Sequence, residues 1–160
     1  MEVKEILKLK DSTLFSAHPS TLLSEAVIMM ADHDIGAIVV IEADKVVGML
    51  TFREVITVLA KRQTERCVGP TPPIAEILVG EAMQPNPPTT DPSMDIDDLR
   101  KLMVSTHSRY VPVMDGDKIL CVISLRDIAK AVLEERNFEN RLLKAYIKDW
   151  PEKAEAEAMA

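Results

Sequence analysis

The chain has 160 residues, 47% of them hydrophobic and few aromatic, enough for one compact domain with an aliphatic core. Its 19 basic and 26 acidic residues leave a net charge of −7, which argues against the basic face that non-specific nucleic-acid binding needs. No apolar run approaches the roughly 20 residues of a membrane span, and the first residues contain no signal-peptide core. We therefore expect a cytoplasmic protein that binds neither nucleic acid nor membranes.

The first half of the chain predicts a short helix followed by strand, helix, strand, strand and helix. Apolar residues recur at helical spacing up to His33, and two β-branched runs flank a short turn that is typical of a hairpin. The predicted elements are a lead helix over Val3 to Leu9, a strand over Leu14 to Ala17, a helix from Ser20 or Thr21 to His33, strands over Ala37 to Ile41 and Val46 to Leu50, and a helix from Thr51.

A connector rich in glycine and proline follows, and then the same order of elements returns. The predicted elements of this half are a helix over Asp95 to Thr106, strands over Tyr110 to Met114 and Ile119 to Ile123, a helix from Ser124 to about Glu135, and a last helix over Phe138 to Lys148 that ends before Pro151. We divide the chain into repeat 1 (1–62), a connector (63–76), repeat 2 (77–136), a C-terminal helix (137–150) and a flexible tail (151–160).

The two halves are copies of one unit. Pro19-Ser20 returns as Pro92-Ser93, an offset of 73 residues, and the stretch from Thr51 to Glu54 returns as Ser124 to Asp127 without a gap. Such a repeat is one supersecondary unit used twice, and we expect the copies to pack face to face about a pseudo-two-fold axis. Small-molecule sites would then lie in the clefts between them.

Both copies place a hydroxyl group where the second hairpin strand ends and a helix begins. These residues are Thr51, followed by Arg53 and Glu54, and Ser124, followed by Arg126 and Asp127. Free backbone N–H groups at a helix start attract phosphate, and the arginines could add charge-assisted bonds. A carboxylate one turn further could accept both hydroxyls of a ribose. The same pattern is also a plain helix cap, but its occurrence twice in register favours a nucleotide site.

Residues 1–150 resemble a tandem pair of cystathionine-β-synthase (CBS) domains, the Bateman module. The family pattern ends each repeat with Gly, two apolar residues, Thr or Ser, two further residues, and Asp or Asn. Gly48 and Thr51 match this pattern, as do Ser124 and Asp127. The strand from Tyr110 to Val113 and the turn Asp115-Gly116 match the middle of the family repeat.

The resemblance implies an α/β (α+β) fold of two β-α-β-β-α repeats packed through their sheets, with N- and C-terminal helices and two clefts for adenosyl ligands. AMP is the first choice, with ADP, ATP, NAD and S-adenosylmethionine as alternatives. In one cleft Asp127 would hold ribose, and Ser124, Arg126 and Arg109 would hold phosphate. The walls of this central region would include Tyr110 and, from the first repeat, Gly36, Ala37 and Ile38. The other cleft would use Thr51, Arg53 and Glu54.

Two residues depart from the family pattern. Glu54 replaces the usual Asp or Asn, and its extra methylene moves the carboxylate by about 1.5 Å. Cys121 replaces the usual Gly of the second copy and would narrow that pocket if the ligand approaches the backbone there. Met83 and Pro88 are possible neighbours of the adenine, although core packing is the simpler interpretation of Met83.

Nothing in the sequence predicts catalysis or a metal site. His18, His33 and His107 lack metal-ligand spacing with each other or with Cys67 and Cys121, and Ser124 has no nucleophile context. We therefore expect a regulatory module that binds an adenine nucleotide, has no catalytic cofactor, forms a homodimer and signals to an unidentified effector protein. The alternative is a dimeric interaction protein with degenerate clefts, and an enzyme has little support.

Overall fold

The computed structural model describes residues 1–10, 13–65 and 76–159, with side chains as far as Lys148. Most of the predicted connector, including Cys67, lies outside the described residues. The chain divides into two compact units, Met1–Leu125 and Arg126–Ala160. The helices are α1 (Val3–Leu7), α2 (Leu23–Asp32), α3 (Phe52–Glu65), α4 (Val79–Ala82), α5 (Ile96–Thr106) and α6 (Leu125–Met159). The strands are β1 (Ser16–Ala17), β2 (Ala37–Glu42), β3 (Lys45–Thr51), β4 (Gln84–Pro85), β5 (Tyr110–Asp115) and β6 (Lys118–Ser124).

The two hairpins reproduce the repeat down to single pairs of residues. Ala37 pairs with Thr51 in the hairpin of β2 and β3, and Tyr110 pairs with Ser124 in the hairpin of β5 and β6. Each ladder has an irregularity at the same place, between Val40 and Ile41 in the first hairpin and between Val113 and Met114 in the second. This mixture of helices and antiparallel hairpins confirms the predicted α+β class.

Short parallel pairings extend both hairpins on the same side. In the first sheet, whose order is β1-β2-β3-β4, Ala17 of β1 pairs in parallel with Val40. In the second repeat Thr90 forms a parallel bridge with Val113, which is the same pairing one repeat later. The predicted strand before the first helix is thus present, although it is only two residues long.

The hydrophobic core of the first repeat is completed by a residue of the second. Its buried members are aliphatic or small, as the composition predicted, and they come from α2, β2, β3 and α4. They are Leu23, Ala26, Met30, Ile38, Val40, Leu50 and Val79. Val79, which opens α4 at the start of the second repeat, is fully buried in this cluster, so the first repeat depends on the second for part of its core.

The lead segments of the two repeats are exchanged. The segment around α1, which begins repeat 1, binds the loop before α5, and the segment around α4, which begins repeat 2, binds the loop before α2. Three backbone hydrogen bonds join the α1 segment to the loop before α5: Val3 N to Met94 O (2.9 Å), Lys4 N to Pro92 O (2.9 Å) and Ile96 N to Met1 O (2.9 Å). Three more join the α4 segment to the loop before α2: Val79 N to Thr21 O (2.8 Å), Gly80 N to Pro19 O (2.9 Å) and Leu23 N to Ile77 O (2.8 Å).

The C-terminal part of the chain differs from the prediction. The sequence predicts two helices with a stop before Pro151, whereas α6 is one continuous helix that passes Pro151 and ends at Met159. No glycine or proline lies between Leu125 and Trp150, so nothing in this stretch forces a break. Pro151 removes one N–H donor, and the helix continues past that lost hydrogen bond. Within the described residues, none of the helices combines the length and apolar composition that crossing a membrane requires.

The turns of the two hairpins generate a test of the repeat. Ala43 has a φ of 50°, in the left-handed region that disfavours a Cβ, and the corresponding residue of the second hairpin is Gly116 with a φ of 60°. We expect Ala43→Gly to raise the free energy of unfolding by about 0.5–1 kcal/mol. Thermal melting should then rise by about 1–4 °C.

The matched control for this prediction is Gly116→Ala, because no atom lies near enough to touch the added Cβ and only the backbone strain changes. It should lower the free energy of unfolding by about 1 kcal/mol. Equal melting temperatures for the Ala43→Gly protein and the wild type would contradict the left-handed turn.

Candidate functional site

The start of α3 is closed by a capping box made from two of the predicted site residues. The Thr51 backbone N–H donates to Glu54 Oε2 (2.7 Å), and the Thr51 hydroxyl donates to the same oxygen. The Thr51 hydroxyl oxygen in turn accepts from the Arg53 backbone N–H (3.2 Å). The capping interpretation of this motif is therefore correct for the first repeat, and it fixes the position of the Glu54 carboxylate.

Arg53 links this helix start to the second repeat. Its Nη2 atom donates to the backbone carbonyl of His107, which is the C-terminal cap of α5. His107 has a φ of 52°, a left-handed conformation that ends the helix, and the last carbonyls of a helix lack partners within it. The Arg53 guanidinium supplies such a partner and places its positive charge at the negative end of the helix dipole.

A cavity of about 330 Å³ opens beside this contact. It is lined by the end of β3, the first turns of α3, Gln84 of β4, and the segment from His107 to Tyr110. The lining residues are Met49, Thr51, Phe52, Arg53, Glu54, Ile56, Thr57, Gln84, His107, Ser108, Arg109 and Tyr110. All belong to the unit Met1–Leu125, and they combine two arginines, a carboxylate, hydroxyl groups and two aromatic rings.

Gly36 leaves room for the Tyr110 ring of the opposite repeat. A Cβ built on Gly36 would lie 1.9 Å from the Tyr110 hydroxyl oxygen, 2.7 Å from its Cζ atom, and 3.2 Å from the Phe52 ring. Gly36 and Arg109 occupy the same position in the two repeats. The cleft is therefore asymmetric, because one copy of this position carries a guanidinium and the other carries no side chain.

The structure groups the predicted residues differently from the resemblance. Arg109 and Tyr110 line the cavity with Thr51, Arg53 and Glu54, whereas the resemblance grouped Arg109 with Ser124 and Asp127. The remaining predicted residues are not among those lining this cavity: Gly36, Ala37, Ile38, Ser124, Arg126 and Asp127.

Each of these remaining residues has a definite place. Gly36 borders Tyr110, and Ala37 pairs with Thr51 across the hairpin. The Ile38 side chain is fully buried in the core. Ser124 ends β6, and Arg126 and Asp127 begin the helical unit Arg126–Ala160.

Sequence reasoning missed several residues that line the cavity. Phe52 and Ile56 lie one turn apart on α3 with 54% and 63% of their surface exposed, and two such apolar side chains on one helix face were the available signal. Gln84 and Ser108 carried no signal, because they are far from Thr51 in the sequence and lie beside it only in the folded chain.

Gly48 and Met83 have a packing role. A Cβ on Gly48 would lie 2.4 Å from Met83 Sδ and 2.9 Å from the Gln84 carbonyl oxygen, so glycine is needed there for β4 to approach β3. Met83 packs against the hydrophobic core, as the simpler interpretation predicted. In the second sheet, β6 pairs with β5 alone among the described residues. Cys121, which corresponds to Gly48, is buried there opposite Val113.

Comparison with known proteins agrees with this architecture. The profile of the CBS domain family matches residues 3–61 and 79–134, one match for each repeat. The chain therefore belongs to the CBS domain family and carries two copies of the domain. The CBS domain-containing protein YhcV of Bacillus subtilis is 30% identical over 111 residues, which cover 69% of this chain and 73% of YhcV.

Solved structures show the same fold. A protein with CBS domains from Burkholderia ambifaria superposes with a TM-score of 0.73 at 28% identity, over 84% of this chain and 95% of that one. The structure of CBSX2 in complex with AMP superposes with a TM-score of 0.63 at 21% identity, over 77% of this chain and 90% of that one.

The contact at Gly36 yields a prediction for stability. Gly36→Ala should displace the Tyr110 ring and lower the free energy of unfolding by about 1–3 kcal/mol, measured by denaturant unfolding. In a Tyr110→Ala background the same substitution should cost less, because the nearest atoms are gone. An equal cost in both backgrounds would show that the two residues do not touch.

Proposed function

We propose that this protein is a regulatory module that binds an adenine nucleotide in the cavity between β3, α3 and the His107–Tyr110 segment and signals to an effector protein. AMP is the proposed ligand, with ADP, ATP and NAD as the alternatives to be compared. No catalytic role is proposed. The observation that carries the proposal is the convergence of Arg53, Arg109 and Glu54 on one cavity built by both repeats.

The two arginines suit a phosphate group. Guanidinium groups bind phosphate oxygens through charge-assisted hydrogen bonds, and two of them from different repeats can hold one phosphate from both sides. The first turn of α3 lies at the same place and adds the positive end of a helix dipole. The net charge of the chain is −7, so this local cluster selects anions against the overall field.

Glu54 and the aromatic residues suit a nucleoside. A carboxylate has lone pairs for several donors, so Glu54 can accept from ribose hydroxyls in addition to its bonds from Thr51. Phe52 and Tyr110 offer ring surfaces for a base, and the cavity volume of about 330 Å³ is within the usual range for small-molecule sites. The AMP complex of CBSX2, a protein of the same fold, supports this class of ligand.

Signalling to an effector needs a ligand that favours one conformation over another. The cavity suits this condition because its walls come from both repeats, so a ligand that contacts both walls favours the conformation in which both fit it. The effector would bind the surface of the liganded conformation. AMP and ATP would give different outputs if only one of them favours that conformation.

The proposal predicts a selective thermal shift. Ligand-stripped protein at about 100 times the dissociation constant of AMP should gain about 2.7 kcal/mol and melt roughly 5–10 °C higher. Arg109→Ala should weaken AMP binding by about 10-fold to 100-fold, because one charge-assisted hydrogen bond is lost. Binding is measured by calorimetry and compared with ADP, ATP, NAD and S-adenosylmethionine.

The matched control is Arg100→Ala. Arg100 is an exposed arginine of α5 that pairs with Asp97 and is not among the residues lining the cavity. Its loss should leave AMP affinity unchanged. If the wild type, shown to carry no retained nucleotide, binds none of the five compounds at millimolar concentration, the proposal fails and the interaction protein with degenerate clefts takes its place.

A second prediction tests the role of Glu54. Wild-type protein should bind AMP at least tenfold more tightly than 2′,3′-dideoxy-AMP, because the analogue has lost the ribose hydroxyls that the carboxylate would accept. Glu54→Ala should bind both compounds with similar affinity. Equal preference for AMP in the wild type and in the variant would assign Glu54 to capping alone, and a melting curve of the variant without ligand measures that capping role separately.

A further inference from the structure

The cavity contains one histidine. His107 is among the residues that line it, beside Arg53 and Arg109, whereas His18 and His33 are not. Histidine is the side chain that ordinarily changes its charge between about pH 5 and pH 8. The cavity therefore holds a group of the one kind that can alter its charge within the range of pH found in cells.

Hydrogen bonds hold the backbone of His107 at the cavity wall from both sides. The residue ends α5 in a left-handed conformation with a φ of 52°, and its N–H donates to the Val104 carbonyl (3.3 Å). The following N–H, that of Ser108, donates to the Met103 carbonyl (2.9 Å). From the opposite wall, Arg53 donates to the His107 carbonyl. The backbone is thus fixed, and only rotation about the side-chain bonds moves the imidazole.

Few charged or titratable groups surround His107. Among the described residues that line the cavity, these groups come from the first turn of α3 and from the start of β5. They are Arg53, Glu54, Arg109 and Tyr110. Two guanidinium charges against one carboxylate give the lining a net charge of +1 when the imidazole is neutral, and +2 when it is protonated.

The additional charge matters for a phosphorylated ligand. A phosphate monoester carries a charge of about −1.5 to −2 at neutral pH, which exceeds what the lining offers without His107. Arg53 also spends one donor on the His107 carbonyl, so its guanidinium is not devoted to a ligand alone. The C-terminal end of α5, where His107 lies, carries the negative end of a helix dipole and favours a protonated imidazole.

We propose that protonated His107 is a third cationic group that binds the ligand phosphate, so that the cavity binds a nucleoside monophosphate more tightly as the pH falls from about 8 to about 6. The inference rests on the proposed function, because it adds a binding residue and a regulating ion, the proton, to the same site. Protonation and phosphate binding strengthen each other by one common factor. His107 is exposed to solvent, so we expect a gain of about threefold to tenfold.

Calorimetric titration of the full chain with AMP at about pH 6 and about pH 8 tests this role. His107→Asn is the informative variant, because asparagine tolerates the left-handed conformation and keeps the carbonyl that Arg53 binds. It should bind AMP about threefold to tenfold more weakly than the wild type at the lower pH, and equally well at the higher pH. Comparing two proteins at one pH cancels the second ionisation of the phosphate, which lies near pH 6.

Two further variants separate charge from structure. His107→Lys carries a charge that does not titrate in this range, so it should bind AMP more tightly than His107→Asn at both pH values. His18→Asn is the matched control, since His18 is exposed, contacts Ser20 (2.7 Å between Nδ1 and Oγ) and does not line the cavity. It should keep the pH dependence of the wild type. Salt at about 0.5 M should reduce the effect of His107→Asn at the lower pH, because exposed charges are screened.

Three results would overturn the inference and leave the proposed function standing. They are a His107→Asn protein that binds AMP as tightly as the wild type at both pH values, a loss of affinity that is the same at both, and a His18→Asn protein that also loses the pH dependence. The second of these would assign His107 a structural role only. A wild type that binds no AMP at either pH would overturn the proposed function, and this inference with it.

Discussion

The exchange of lead segments is the constraint on which the rest of the first unit depends. Each repeat lacks one part of its own core, and the segment that begins the other repeat supplies it. Val79 is fully buried among residues of the first repeat, and Val3 is fully buried as well. The backbone hydrogen bonds around both residues leave little freedom for one repeat to shift against the other, because a shift would break bonds at both ends of the pseudo-symmetric pair.

The cavity is built by both repeats. Its two walls are far apart in sequence, with Thr51 and Glu54 in one and the His107–Tyr110 segment in the other. Neither wall forms a binding site alone. The first offers the carboxylate of the α3 capping box, and the second offers a backbone carbonyl at the end of α5. Held together, they place charges of both signs around one space, which is what recognition of a zwitterionic or phosphorylated ligand needs.

Much of the fold could be predicted from the sequence because the repeat doubles every signal. The hairpins and both longer helices of the repeats lie where the alternation and helical spacing placed them. Thr51 and Glu54, which the sequence pattern grouped in one motif, are hydrogen-bonded to each other. The residues that line a cavity together with Arg109 could not be predicted. Pseudo-symmetry offers two clefts to each residue, and the cleft that Arg109 lines is seen only in the folded chain, where the His107–Tyr110 segment lies beside α3.

The continuity of α6 was missed for a different reason. The sequence predicted two helices and a stop before Pro151, but the residues between Glu135 and Phe138 are compatible with a helix, and α6 continues through Pro151 despite the lost hydrogen bond and the ring clash. Gly48 shows the opposite case. The family pattern contains this glycine, yet the reason for it lies in the approach of Met83 and Gln84, which no local sequence rule contains.

Arg53 shows how ligand binding and the fold can be coupled. In the structure its guanidinium donates to the His107 carbonyl at the end of α5, so an anion that binds Arg53 would contact a group that already joins the two repeats. A guanidinium has five donors and can serve both acceptors if they lie in its plane. A phosphate in that plane would strengthen the link between α3 and α5, and one outside it would break the link. The direction of the resulting conformational change therefore depends on where the phosphate sits relative to Arg53, which is a property that can differ between AMP and ATP.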